Sequence, residues 1–187
     1  MTALAALTPA QRHRAVAAGF AEEVARTIDW DAQSPVGDWV ARDVVAHLLD
    51  WFPDFLAADG VHLADVRIGD DPVTAWSTRL AAVQQLFDDP GRDFTHPRIG
   101  VFPLAEAIDR FYTADVFMHT WDLAQAGGRT PDLDHDYAEQ LLAGLASMER
   151  VLRESGQYGP AQQAPDGADA VVRLAAFIGR DPNFAVA

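Results

Sequence analysis

Apolar positions recur every three or four residues along most of the chain, the period of an amphipathic helix, with Pro, Gly and Asp between the runs. Thr8-Pro9-Ala10-Gln11 has the form of a capping box with proline in the first turn, opening a helix that the pattern carries to about Ile28. After a turn-rich loop from Asp31 to Gly37, a second helix is expected from about Val40 to Ala58, stopping near Gly60. Pro53 lies inside it and should end or kink it unless the aromatic face holds it together. Asp71-Pro72 starts a third helix that closes at Asp88-Asp89-Pro90-Gly91, and Phe102-Pro103 opens a fourth that ends at Gly127-Gly128. A fifth is expected over Tyr137 to Glu154, after the turn Thr130-Pro131-Asp132. Ser155 to Gly167 reads as loop, followed by a short helix from about Ala168 to Ile178 that Gly179-Arg180-Asp181-Pro182 breaks. No β-hairpin signal, fixed-period repeat or interdomain linker stands out. The expectation is one all-α domain over residues 1–187, a helical bundle on which the part from about residue 155 packs as loop, short helix and tail.

In a bundle the inward stripe should be apolar, so polar residues on it are the informative ones. The fourth helix carries Leu104, Ile108, Phe111 and Met118 on one stripe, with Asp115 and Asp122 in the remaining places and His119 beside them. Residues four and seven apart share a helix face, so Asp115, His119 and Asp122 project together. The second helix repeats the anomaly: His47 lies on the line of Val40, Val44, Trp51 and Phe55. A lone inward His is commonly a satisfied core residue and a lone Asp commonly pairs with Arg. Several such groups together would each cost several kcal/mol, on the order of a buried charge, without a compensating cation. Two imidazoles and one carboxylate suit zinc first, with nickel, iron(II) and manganese as alternatives. His47, Asp115 and His119 are therefore the expected metal ligands, with a fourth position open, and Asp122 is expected to orient one of them. A metal-free core of paired Arg and carboxylate groups is the competing account.

Composition narrows the chemistry. Hydrophobic residues make up 49% of the 187, enough for a real core. Twenty-eight Asp and Glu against 14 basic residues give a formal charge of −14, which disfavours nucleic acid and anionic membrane surfaces as partners. There is no Cys, so no disulfide, thiolate nucleophile or Cys-ligated metal is available from the protein. All the basic residues are Arg, which removes Schiff-base chemistry and the lysine of a phosphate-binding loop. Met1 to Ala6 is apolar only briefly before Gln11, Arg12, His13 and Arg14, neither a signal peptide nor a span, so a cytoplasmic protein is expected. His13, His62, His96 and His135 read as solvated, and the Asp-x-x-His spacings at Asp59, Asp93 and Asp132 fall in or beside turns. Arg180 reads as part of the closing turn, or as a group approaching the acidic pocket to bind an anionic ligand. Trp51, Phe55, Phe111 and Trp121 would wall such a pocket.

Three blocks carry a family resemblance. Asp38-Trp39-Val40-Ala41-Arg42-Asp43-Val44-Val45-Ala46-His47-Leu48 resembles the W-x-x-R-D-[LV]-V-x-H-L helix of mycothiol-dependent maleylpyruvate isomerase-type proteins, members of the DinB/YfiT-like superfamily. Asp115 to Ala124 is similar to that family's [ED]-x-x-x-H-x-W-D-L-A helix, and Arg173 to Pro182 resembles the closing R-L-x-x-x-x-G-R-D-P of a single-domain branch. The resemblance implies an up-down-down-up four-helix bundle, with additional short C-terminal helices, holding a metal near one end. His47, Asp115 and His119 fall on the family's ligand positions. It implies further a divalent-metal enzyme that activates a low-molecular-weight thiol such as mycothiol, for thiol transfer or isomerisation, or activates water. The alternative is a non-catalytic bundle that binds a metal or small ligand. The expected partners are a small thiol and a small substrate, with a homodimer compatible with the size. The chain departs from the isomerase pattern in having Asp115 where the isomerase has Glu, and only a short stretch after Gly167 where the isomerase has a C-terminal domain.

Overall fold

The structure, a computed structural model, describes residues 3–69, 71–89, 91–155 and 158–185; Met1 of the N-terminal stretch, Pro90 of the third helix's closing turn and residues 156–157 of the late loop lie outside the described residues. The chain is predominantly helical, with α1 (Pro9–Arg26), α2 (Ala41–Ala57), α3 (Pro72–Gln85), α4 (Leu104–Ala107), α5 (Ala114–Ala126), α6 (His135–Ala146), α7 (Glu149–Ser155) and α8 (Ala170–Phe177). The capping box forms: the Gln11 N–H donates to Thr8 Oγ1 and the Thr8 N–H to Gln11 Oε1. Helix α1 packs on α3 and α5, α2 on α3 and α5, and α6 on α8. One apolar cluster joins them, running from Val16 to Ile178.

Four features of the secondary structure differ from the sequence expectation. First, β1 (Asp93–His96) and β2 (Gly100–Pro103) form an antiparallel hairpin with Phe94 opposite Phe102. Its strands are four residues each and only Phe94 is fully buried, so alternation has too few positions to register. The Asp93/His96 pair therefore lies on β1, and His96 stacks on Phe55 at 4.9 Å between ring centroids rather than standing in solvent. Second, a π-helical turn, Ile108–Thr113, joins α4 to α5. Its wider turn shifts the stripe by one residue: Tyr112, fully buried, takes the inward place expected of Phe111, and its hydroxyl donates to the Leu48 carbonyl at 3.0 Å. Third, the expected fifth helix divides into α6 and α7 at Ser147–Met148, where the Ser147 hydroxyl donates to the Gly144 carbonyl at 2.6 Å, a local bond that competes with the helical ladder. Fourth, α1 ends two residues early and leaves Ile28 94% exposed.

Pro53 does not end α2. A proline has no N–H to give to the carbonyl four residues back, here that of Leu49. Arg79 of α3, itself buried, reaches across and donates from Nη2 to that carbonyl at 3.0 Å. The helix therefore continues past its proline because another helix satisfies the acceptor.

His13, expected in solvent, is fully buried. It lies on the stripe Val16, Ala17, Phe20 and Val24, where the 3.6-residue period puts it, and its Nδ1 sits 3.1 Å from the Thr113 hydroxyl. Burial lowers its pKa from 6.5 to about 4. The folded state thus resists a proton that the unfolded chain accepts, so stability is unaffected above pH 6.5 and falls as pH drops from 6.5 to about 4. The expected loss over that window is about 3 kcal/mol. Urea unfolding of the wild type and of His13→Met at several pH values checks it: the wild-type curve should steepen below pH 6.5 and the variant's should lack that component.

Candidate metal centre

The π-helical turn delivers Asp115 to the first turn of α5, facing α2, and the helical repeat brings His119 one turn further along the same face. His47 comes from the middle of α2. One donor atom from each of His47, Asp115 and His119 lies within 4.8 Å of the others. His47 Nε2 is 3.2 Å from Asp115 Oδ2, and His119 Nε2 is 3.5 Å from Asp115 Oδ1. Ligands 2.0–2.1 Å from a tetrahedral ion stand about 3.4 Å apart, and each imidazole nitrogen lies close to that distance from one oxygen of Asp115. The side chains are graded in depth: His47 is 31% exposed, Asp115 18% and His119 5%. His47, the most exposed of the three, is the one that lines an open pocket.

Each ligand is held by a neighbour. The Trp51 indole N–H donates to Asp115 Oδ2 at 2.9 Å, which leaves Oδ1 the freer oxygen. Burial raises the Asp115 pKa, but His119, His47 and the Trp51 N–H outweigh it and hold the carboxyl below its usual range. His119 Nδ1 lies 2.8 Å from Oδ2 of Asp122, which is fully buried. Arg180 closes the row, with Nε donating to Asp122 Oδ1 at 3.0 Å and Nη2 to Oδ2 at 2.9 Å. For Asp122 too, burial is overcome, here by the Arg180 charge and the contact with His119, so its pKa lies below the ordinary carboxylate value.

These contacts place Asp122 behind His119, and they engage the Arg180 guanidinium, which the sequence offered for an anionic ligand, with Asp122 instead. The guanidinium is occupied by Asp122 on the far side of His119 and does not reach into the pocket as an anion receptor. The turn expected at Gly179 is present and aims Arg180. The Arg180 N–H bonds back to the Ala175 carbonyl and the Gly179 N–H to that of Ala176, the paired bonds of a Schellman motif.

The pocket, of about 560 Å³, is lined by Trp39, Asp43, His47, Asp50, Trp51 and Asp54. Trp39 stands beside both imidazoles, 5.0 Å from the His47 ring and 6.0 Å from that of His119. Sequence periodicity missed it because it precedes α2, outside any helical stripe, although it sits in the Trp-x-x-Arg-Asp block. Of the four aromatic walls expected, Trp51 lines the pocket; Phe55 and Phe111 pack together toward the hairpin. Trp121 instead faces an apolar crevice with Phe117, Met118 and Leu133. Tyr158, in the loop before α8, is a further group near the centre: burial raises its pKa, the Asp115 charge adds to the rise and Arg180 offsets part of it. No helix among the described residues is long and apolar enough to cross a membrane.

The chain is similar to two proteins of Mycobacterium tuberculosis, uncharacterized protein Rv0738 of strain H37Rv and uncharacterized protein MT0763 of strain CDC 1551. Each is 26% identical over 182 residues, covering 93% of this chain and 98% of the relative. No protein-family model and no solved structure matches the chain.

Proposed function

We propose that the chain is a divalent-metal-dependent enzyme of the DinB/YfiT-like, up-down-down-up four-helix type, with His47, Asp115 and His119 holding zinc or a similar ion. The observation that carries this reading is the convergence of the three donors, with His47 at the wall of a pocket and the second acidic candidate, Asp122, turned away to Arg180. Among the described residues no fourth imidazole or carboxylate joins the group, which favours a centre with an open position over a closed structural site. A bound ion would supply Lewis acidity, lowering the pKa of a thiol or water at that position. With no Cys in the protein, a thiol nucleophile comes from a small molecule, for which mycothiol is the proposed example.

The protein's own residues do the positioning. Trp51 fixes the rotamer of Asp115, Asp122 fixes that of His119, and the shorter Asp in place of Glu suffices because α2 brings His47 to it. Trp39 and Trp51 supply flat apolar sides of the pocket against which the thiol or its acceptor would lie. The test is metal analysis of protein purified without chelator or added metal, together with transfer of a low-molecular-weight thiol to an electrophilic acceptor. Stoichiometric metal is expected, with turnover abolished by chelation and restored by zinc. A fully active metal-stripped protein would overturn the proposal, and retained metal with no thiol or hydrolytic turnover would identify a non-catalytic metal-binding bundle instead.

A further inference from the structure

We infer that Arg180 is a positioning residue for the metal centre: through Asp122 it holds the His119 ring with Nδ1 as the donor, so that Nε2 faces Asp115 and His47. The inference rests on the metal-binding reading above for its effect on affinity, but the proton placement is a property of the metal-free chain.

The donor inventory of the row decides the direction. A guanidinium has only N–H donors, and Arg180 presents two of them to the two oxygens of Asp122. A carboxylate held in that fork is an acceptor at each lone pair, so at Oδ2, 2.8 Å away, the His119 Nδ1 must be the donor. With Nδ1 committed to Asp122, Nε2 is the ring nitrogen left to meet an ion. That nitrogen is 3.5 Å from Asp115 Oδ1, on the side where His47 and the pocket lie. Without Arg180, Asp122 would be a fully buried carboxyl with His119 as its remaining charge-bearing partner, free to turn and to present either an acceptor or a donor.

The arrangement also ties distant chain segments together. Arg180 reaches its place because the helix-ending Gly179 turns the backbone back over α8, 58 residues beyond Asp122. Metal affinity thereby becomes sensitive to the C-terminal turn, although that turn contributes no ligand.

Two variants test this, with folding checked by circular dichroism. Asp122→Asn keeps the shape, but the Asn amide can turn its oxygen to Arg180 and its NH₂ to His119 Nδ1, forcing the imidazole proton onto Nε2. Arg180→Met removes the fork. Nitrogen-15 imidazole shifts of the metal-free wild type should show His119 Nδ1 protonated, and those of Asp122→Asn should show Nδ1 without a proton. Zinc affinity should fall roughly 10- to 100-fold in both variants, the range found for groups that orient a metal-bound His, with Arg180→Lys intermediate. A wild-type Nδ1 without a proton, or zinc affinity in Asp122→Asn within about twofold of wild type, would overturn the inference. If the wild type binds no zinc, the metal reading fails, and the nitrogen-15 result still decides the proton placement.

Discussion

Replacing Asp115 by Ala is expected to weaken zinc binding by about 10²- to 10³-fold, the largest loss from any single change at the centre. A structural zinc ion is bound by about 10–16 kcal/mol across four ligands, so each accounts for roughly 3–4 kcal/mol, or two to three decades. Asp115 is the hub of the group, since His47, His119 and the Trp51 N–H all converge on its two oxygens. His47→Ala and His119→Ala should each lose about the same ligand energy, but they leave the carboxylate in place for the other imidazole. The check is isothermal titration with zinc beside thermal unfolding with and without the ion. A ligand that binds only the folded state at a hundred times its Kd adds about 2.7 kcal/mol of stability, so zinc should raise the wild-type midpoint and leave that of Asp115→Ala where it was. Equal zinc stabilisation of the two proteins would remove Asp115 from the ligand set.

The residues of this centre were legible because they break a strong local rule. Asp115, His119 and Asp122 stand four and three residues apart on an otherwise apolar helix, and a 3.6-residue period converts that spacing into one face without knowledge of the tertiary fold. His47 stood out for the same reason on α2. What surrounds them depends on contacts between segments far apart in sequence. Nothing near Arg180 indicates that its partner is Asp122, because a guanidinium beside a helix-stopping glycine serves equally well on the surface. Trp39 reaches the imidazoles from outside any repeat. His13 was misplaced for a different reason. It does lie on the buried stripe of α1, but Gln11, Arg12 and Arg14 around it make the segment look polar, and the shielding comes from Thr113, Tyr112 and Phe87. The π-helical turn is invisible to a fixed period, and it decides that Tyr112 rather than Phe111 faces the core.

Gly179→Ala is expected to destabilise the fold by about 2–4 kcal/mol, lowering the thermal midpoint by roughly 5–15 °C. Two independent costs add at this position. The backbone φ is +93°, where a side chain brings strain of about 1–2 kcal/mol. An added Cβ would also stand 2.9 Å from Gly159 Cα and 3.0 Å from its carbonyl carbon, so it meets backbone that has no rotamer with which to yield. That backbone is itself fastened, since Arg153 donates to the carbonyls of Gly159 and Phe177 and the Gln162 N–H donates to that of Ala176 at 2.8 Å. Separating the loop from α8 would move the turn that carries Arg180, so zinc affinity should fall along with stability. Gly167→Ala is the control: its φ is +75° but nothing lies within 4 Å of an added Cβ. It should therefore show strain alone, about 1–2 kcal/mol, with zinc affinity unchanged. Equal midpoints and equal zinc affinities for the two variants would mean that the close approach of Gly159 to Gly179 contributes neither to the fold nor to the placement of Arg180.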